Sequence, residues 1–178
     1  MGNLISFFLA LILITACGKN LPSEINKGIS PGGNIPTNET PQFLEGSFVT
    51  SDSQTVAINE HLQKPLVLIF SQDSCLVCRA ESQMLVEKFA GFGGAPWNVD
   101  LYTVLVGAIL EDTQDFKQSL GIQWGVGFQK NDLFFKSYCP TLKVPCVIVQ
   151  VPTAGLVFQK TGEFQIDELE KYTGAWSY

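Results

Sequence analysis

The sequence predicts an α/β domain: a mixed sheet with helices on both faces. Three observations predict it. Leu66-Val67-Leu68-Ile69-Phe70 and Leu101-Tyr102-Thr103-Val104-Leu105-Val106 are short apolar runs, the pattern of strands buried on both sides. Each is followed by a stretch that reads as a helix. Cys146–Val151 and Leu156–Lys160 are two further strands, joined by Pro152-Thr153-Ala154-Gly155 and read as an antiparallel hairpin. The order β-α-β-α-β-β-α then gives crossovers followed by a hairpin, hence a mixed sheet.

Leu4–Ala16 is almost wholly apolar. It is too short to span a bilayer comfortably and reads as the core of a signal peptide. It ends in Leu13-Ile14-Thr15-Ala16-Cys17, which resembles the lipobox of bacterial lipoproteins, where the cysteine is lipidated and becomes the first residue after cleavage. One departure is that no Lys or Arg precedes the cysteine. From Gly18 to Gln42 the chain holds four of its nine prolines and shows no apolar period. That stretch reads as a flexible tether with a reach of about 25–30 Å. The expected organisation is a lipoprotein signal peptide at 1–16, a lipidated N-terminus and tether at 17–42, and a folded domain at 43–178.

Within the domain, Phe48-Val49-Thr50 and Thr55–Ile58 read as short strands around a Ser51-Asp52-Ser53 turn. Asn59–Leu62 reads as a helical turn, and Lys64-Pro65 leads into the central strand. A helix opens at Cys75-Leu76-Val77-Cys78, with Leu85 and Phe89 on the side of Cys78 and Glu81, and stops at Gly91. A Gly-rich loop, Gly91–Pro96, follows. Glu111–Lys117 opens a second helix, with acidic residues in its first turn and Gly121 as its stop. Asp167–Tyr172 is a closing helix. Trp97, Trp124 and Trp176 read as core or domain-edge packing. Trp124 and Phe128 have a peptide groove as their other reading.

Composition narrows the function. The formal net charge is −6 and only eleven residues are Lys or Arg, which argues against a nucleic-acid surface. The five cysteines divide into Cys17 and two pairs. Cys75 and Cys78 lie one turn apart at a helix start, so their sulfurs can bond and release. Cys75 also faces unpaired backbone N–H groups and the positive end of the helix dipole, which favours the thiolate that attacks disulfides. Two bland readings stand beside this one, an inert staple and half a zinc site. Zinc would need Cys75, Cys78, Cys139 and Cys146 together, yet six residues part the second pair and no cysteine–histidine cluster supports it. No metal and no cofactor is expected. His61, the only histidine, reads as a surface or capping residue.

Taken in register, these residues resemble the thioredoxin superfamily, and within it the membrane-tethered extracytoplasmic thiol–disulfide oxidoreductases. The resemblance covers about Phe43 to Trp176. It rests on the strand entering C-x-x-C, on Cys78-Arg79-Ala80-Glu81, on Lys64-Pro65, on Val144-Pro145 before the hairpin, and on Gly155 and Gly162. Three departures are Ser74 for an aromatic residue, Gln83 for a proline, and Cys146 for the residue after the cis-proline, commonly Thr. The resemblance implies Cys75 as nucleophile, Cys78 as resolving cysteine, Glu81 as a tuning or proton-relaying carboxyl, and Val144 with cis-Pro145 as the substrate rest. Glu81 has a solvated surface carboxylate as its other reading.

The implied partners are protein thiol or disulfide substrates, a membrane electron donor, and the lipid membrane through acylated Cys17. The implied place is the bacterial cell envelope, facing the periplasm or exterior. Peroxide reduction and a redox-inactive binding module are the alternative functions. Cys139 and Cys146 carry three readings: a structural disulfide, a second redox pair, or two buried thiols.

Overall fold

The computed structural model describes residues 41–176 apart from 62, 91, 92 and 130. The leader and Cys17 lie outside the described residues, as do all of the tether except Pro41 and Gln42, and the helix stop expected at Gly91. The elements in chain order are β1 (Ser47–Thr50), β2 (Thr55–Ala57), a 3-10 turn (Ile58–Glu60), β3 (Leu66–Ser71), α1 (Leu76–Phe89), β4 (Asp100–Leu105), α2 (Leu110–Leu120), β5 (Gly125–Phe128), α3 (Leu133–Tyr138), β6 (Cys146–Val151), β7 (Gly155–Thr161) and α4 (Ile166–Thr173).

One sheet holds all seven strands in the order β2-β1-β5-β4-β3-β6-β7. β3, β4 and β5 run parallel, and β6 lies antiparallel to β3 with Phe70 opposite Cys146. β6 and β7 form the expected hairpin, and β1 and β2 a second one. The sheet is mixed because the crossovers through α1 and α2 return the chain parallel, whereas β6 arrives from the far end.

Alternation along the strands separates two cores. Val67 and Ile69 of β3, with Val147 and Val149 of β6, pack under Leu85 and Phe89 of α1, Phe116 of α2 and Leu169 of α4. Leu66, Leu68 and Phe70 face the other way with Cys146 and Ile148, against Phe134, Phe135 and Cys139 at α3. Helices therefore cover both faces, three on one and the short α3 on the other. β3 is buried over its whole length, which is why it reads as an unbroken apolar run.

Two elements were not legible. β5 is Gly125-Val126-Gly127-Phe128, and its glycines hide a strand pattern. A Cβ on Gly127 would come within 2.6 Å of the Phe48 ring and of the Val49 carbonyl, so the close approach of β1 requires glycine there. α3 has six residues, too few to show a helical period. Trp97 departs from the packing reading, since it is 64% exposed. Trp124 and Trp176 are buried, and the Trp124 indole N–H donates to Thr103 Oγ1 at 3.0 Å, which makes Trp124 core and not a groove residue. Gln42 already belongs to the fold: it bridges Gly155, and its carbonyl accepts from Leu156 N at 2.8 Å.

Candidate active site

The site forms where the buried chain of β3 reaches the carboxyl edge of the parallel strands. A turn follows, closed by Cys75 N–H donating to the Gln72 carbonyl at 3.0 Å. Cys75 then caps α1 in an extended conformation, and its sulfur accepts the Cys78 N–H at 3.2 Å. That bond satisfies one of the free donors that any helix start exposes, and it is a bond a thiolate strengthens. Cys75 and Cys78 are joined by a disulfide with their Cα atoms 5.3 Å apart. Their surroundings differ. Cys75 is partly exposed, whereas Cys78 is 2% exposed on the buried side of α1. Cys75 is therefore the half of the pair that presents surface to an incoming group.

The charged neighbours are arranged by the same turn. Asp73 pairs with Arg79 at 2.6 Å, and Arg79 also reaches Ser119 and lies over the Phe116 ring. Asp73 is thus engaged by the cation that directly follows Cys78 in α1. Glu81 is 7% exposed on the face of α1 that carries Cys78. Its Oε1 accepts the backbone N–H of Phe164 at 3.0 Å. Burial pushes its pKa up from 4.5 to about 7; the Phe164 bond and Lys160 pull the other way, and Glu163 adds to the rise.

Val144-Pro145 is a cis peptide bond. The register Phe70↔Cys146 sets it at the edge where β3 hands over to the Cys75 turn. The Pro145 carbonyl accepts from Gly162 N at 2.8 Å, which ties the segment to the exit of β7, and Val144 stays partly exposed. His61 lies elsewhere: its Nδ1 is 2.8 Å from Asp100 Oδ2, and its ring meets Tyr102 edge-on.

Cys139 and Cys146 form a second disulfide, fully buried, with Cα atoms 6.3 Å apart. It belongs to the core on the opposite face of the sheet from α1. The chain reaches this closure by turning at Cys139–Leu142, where Leu142 N–H donates to the Cys139 carbonyl at 2.8 Å. The contact of Glu81 with Phe164 was missed in the sequence, since the two are 83 residues apart and no local pattern links them.

No protein-family model matches the chain, and no curated protein matches it by sequence. Solved structures match its shape. The thioredoxin domain of a thiol-disulfide oxidoreductase from Bacteroides vulgatus superposes with a TM-score of 0.61 at 18% identity, covering 83% of this chain and 100% of that one. A thiol:disulfide interchange protein of the thioredoxin family from Chlorobium tepidum gives 0.60 at 14% identity, over 76% and 95%. A secreted disulfide oxidoreductase from Mycobacterium tuberculosis gives 0.58 at 16% identity, over 71% and 92%.

The chain has a thioredoxin-like fold. In this fold the start of α1 carries a partly exposed Cys75 and a buried Cys78.

Proposed function

We propose that the chain is an extracytoplasmic thiol–disulfide oxidoreductase that reduces protein disulfides through Cys75 and Cys78. The observation that carries this reading is the asymmetric pair at the start of α1, Cys75 partly exposed at the N-cap and Cys78 buried on the helix face that carries Glu81. The solved relatives described as disulfide oxidoreductases support it. In the reduced state the Cys75 thiolate attacks a substrate disulfide. A Cys75–substrate bond forms, and one substrate sulfur leaves and takes a proton from water. Cys78 gives its S–H proton to the Glu81 carboxylate, and its thiolate attacks the Cys75 sulfur. The second substrate sulfur leaves as thiolate. The substrate gains two electrons and the Cys75–Cys78 disulfide is restored. A membrane electron donor then reduces the pair again.

Glu81, with a pKa pushed up to about 7, suits the middle step, because it exchanges protons readily at neutral pH. Its negative form beneath the pair also opposes a strongly stabilised thiolate. This favours a reducing couple, nearer thioredoxin than the strong oxidants. Val144 offers its backbone to an extended substrate segment beside cis-Pro145.

The envelope location rests on Leu13–Cys17 and on the description of the Mycobacterium tuberculosis relative as secreted. Acylation of Cys17 would hold the domain on a membrane at the end of the 17–42 tether. Cys17→Ala releases the protein into the soluble envelope fraction or blocks its processing. A mutant that still needs detergent for extraction contradicts the anchor.

The experiment for the activity is capture. A Cys78→Ser variant, unable to resolve, accumulates disulfide-linked partners on Cys75, and mass spectrometry identifies them. A Cys75→Ser/Cys78→Ser chain captures none. Equal capture by both rules the reading out.

A further inference from the structure

Glu81 uses only one oxygen. Oε1 takes the Phe164 N–H, while Oε2 is buried without a hydrogen-bond partner. Ser71 Oγ is in the same condition, on a residue with no exposed surface. Ser71 ends β3, and alternation after Val67 and Ile69 turns it to the face under α1. Its register partner Leu105 lies in that same core. Cys78 and Glu81 are the first two of the buried side chains of α1, followed by Ser82, Leu85 and Phe89. Three further buried atoms without partners belong to glutamines elsewhere: Gln129 bonds to Phe135 N, Gln150 to Leu44 N, and Gln159 stands opposite Ile148. Two unsatisfied oxygens therefore share the dithiol face. Buried polar atoms in native proteins find partners, either in the protein or in ordered water.

We infer that Ser71 is a positioning residue of the dithiol site, its hydroxyl holding Glu81 Oε2 beside Cys78 through one ordered water. The water donates to Oε2, accepts from Ser71 and faces the Cys78 sulfur, so the proton leaving Cys78 crosses one bridge to the carboxylate. The inference rests on the reading of Glu81 as proton acceptor in the proposed reaction. The charges around Glu81 are Glu163 and Lys160, both on the β7–α4 side. Arg79 is held by Asp73 and Ser119. Among the described residues, Ser71 Oγ is the other buried oxygen without a partner on this face, and its hydroxyl can favour the carboxylate.

The test is a titration of the Glu81 side-chain carboxyl by carbon-13 NMR in the oxidised full chain. Losing the bridge in Ser71→Ala raises the midpoint by at least about half a unit, and Ser71→Thr, which keeps the hydroxyl, returns it toward wild type. An unchanged midpoint in folded Ser71→Ala overturns the inference. If Ser71→Ala does not fold, a high-resolution crystal structure of the wild-type chain decides: a water touching Ser71 Oγ and Glu81 Oε2 supports it, and its absence overturns it. Neither measurement needs turnover. A wild-type chain that fails to reduce any disulfide sinks the proposed function and leaves the titration result standing.

Discussion

Glu81 couples acidity to stability at the scale of one side chain. Its folded pKa of about 7 lies above the ordinary carboxyl value because burial penalises the charge. Between about pH 4.5 and 7 the folded chain binds more protons than the unfolded chain, so the stabilising contribution of the neutral form, full below that window, is lost as pH rises through it. Glu81→Gln removes the buried charge while keeping an oxygen for Phe164 N–H. The variant is expected to match wild type near pH 4.5 and to exceed it by roughly 1–3 kcal/mol at pH 8. Denaturant melts at several pH values check this. A difference that does not grow with pH contradicts the assignment. Leu142 carries a second local cost. It has φ +52° and is half exposed, so its side chain gains little burial while its backbone occupies the left-handed region. Leu142→Gly should stabilise by about 0.5–1 kcal/mol, measurable as a higher midpoint in urea.

At the scale of elements, the second disulfide joins the end of α3 to the start of β6. Its residues lie in the core opposite α1, so the sheet stands between it and Cys75–Cys78. That placement favours the structural reading over exchange between the pairs. Cys139→Ala/Cys146→Ala should lose about 2–3 kcal/mol, the loop-closure value for so short a loop, and keep disulfide-reducing turnover at temperatures where it is folded. An unchanged melting temperature with lost turnover would establish the second pair as a relay.

The same elements show what the sequence could and could not reveal. β3, β4, β6 and β7 announce themselves because each is buried on both faces or carries β-branched residues. α1 and α2 do so through side-chain spacing and through acidic residues or a glycine stop. β5 is silent because glycine at positions 125 and 127 serves Tyr102 and Phe48, not a strand pattern. α3 is silent because it is short. In the site, C-x-x-C, Glu81 and Val144-Pro145 were legible as local words. Ser71 was not, since its significance depends on a face set by alternation and on a glutamate ten residues away whose other oxygen bonds Phe164.

For the whole molecule, we propose an export leader and a tether ahead of the thioredoxin-like domain, whose Cys75 is the more exposed half of its dithiol. No helix among the described residues is long and apolar enough to cross a membrane. Attachment to a membrane through Cys17 is part of the proposed function, and the Cys17→Ala fractionation tests it. The central claim is that Cys75 and Cys78 deliver two electrons to a protein disulfide. Its most direct test mixes the purified, reduced full chain with a disulfide-bonded protein and follows both partners by mass spectrometry. The account predicts that substrate disulfide disappears mole for mole as the Cys75–Cys78 peptide loses two hydrogens, and that Cys75→Ser does neither. A substrate left intact by the wild-type chain, or reduced equally well by Cys75→Ser, would contradict it.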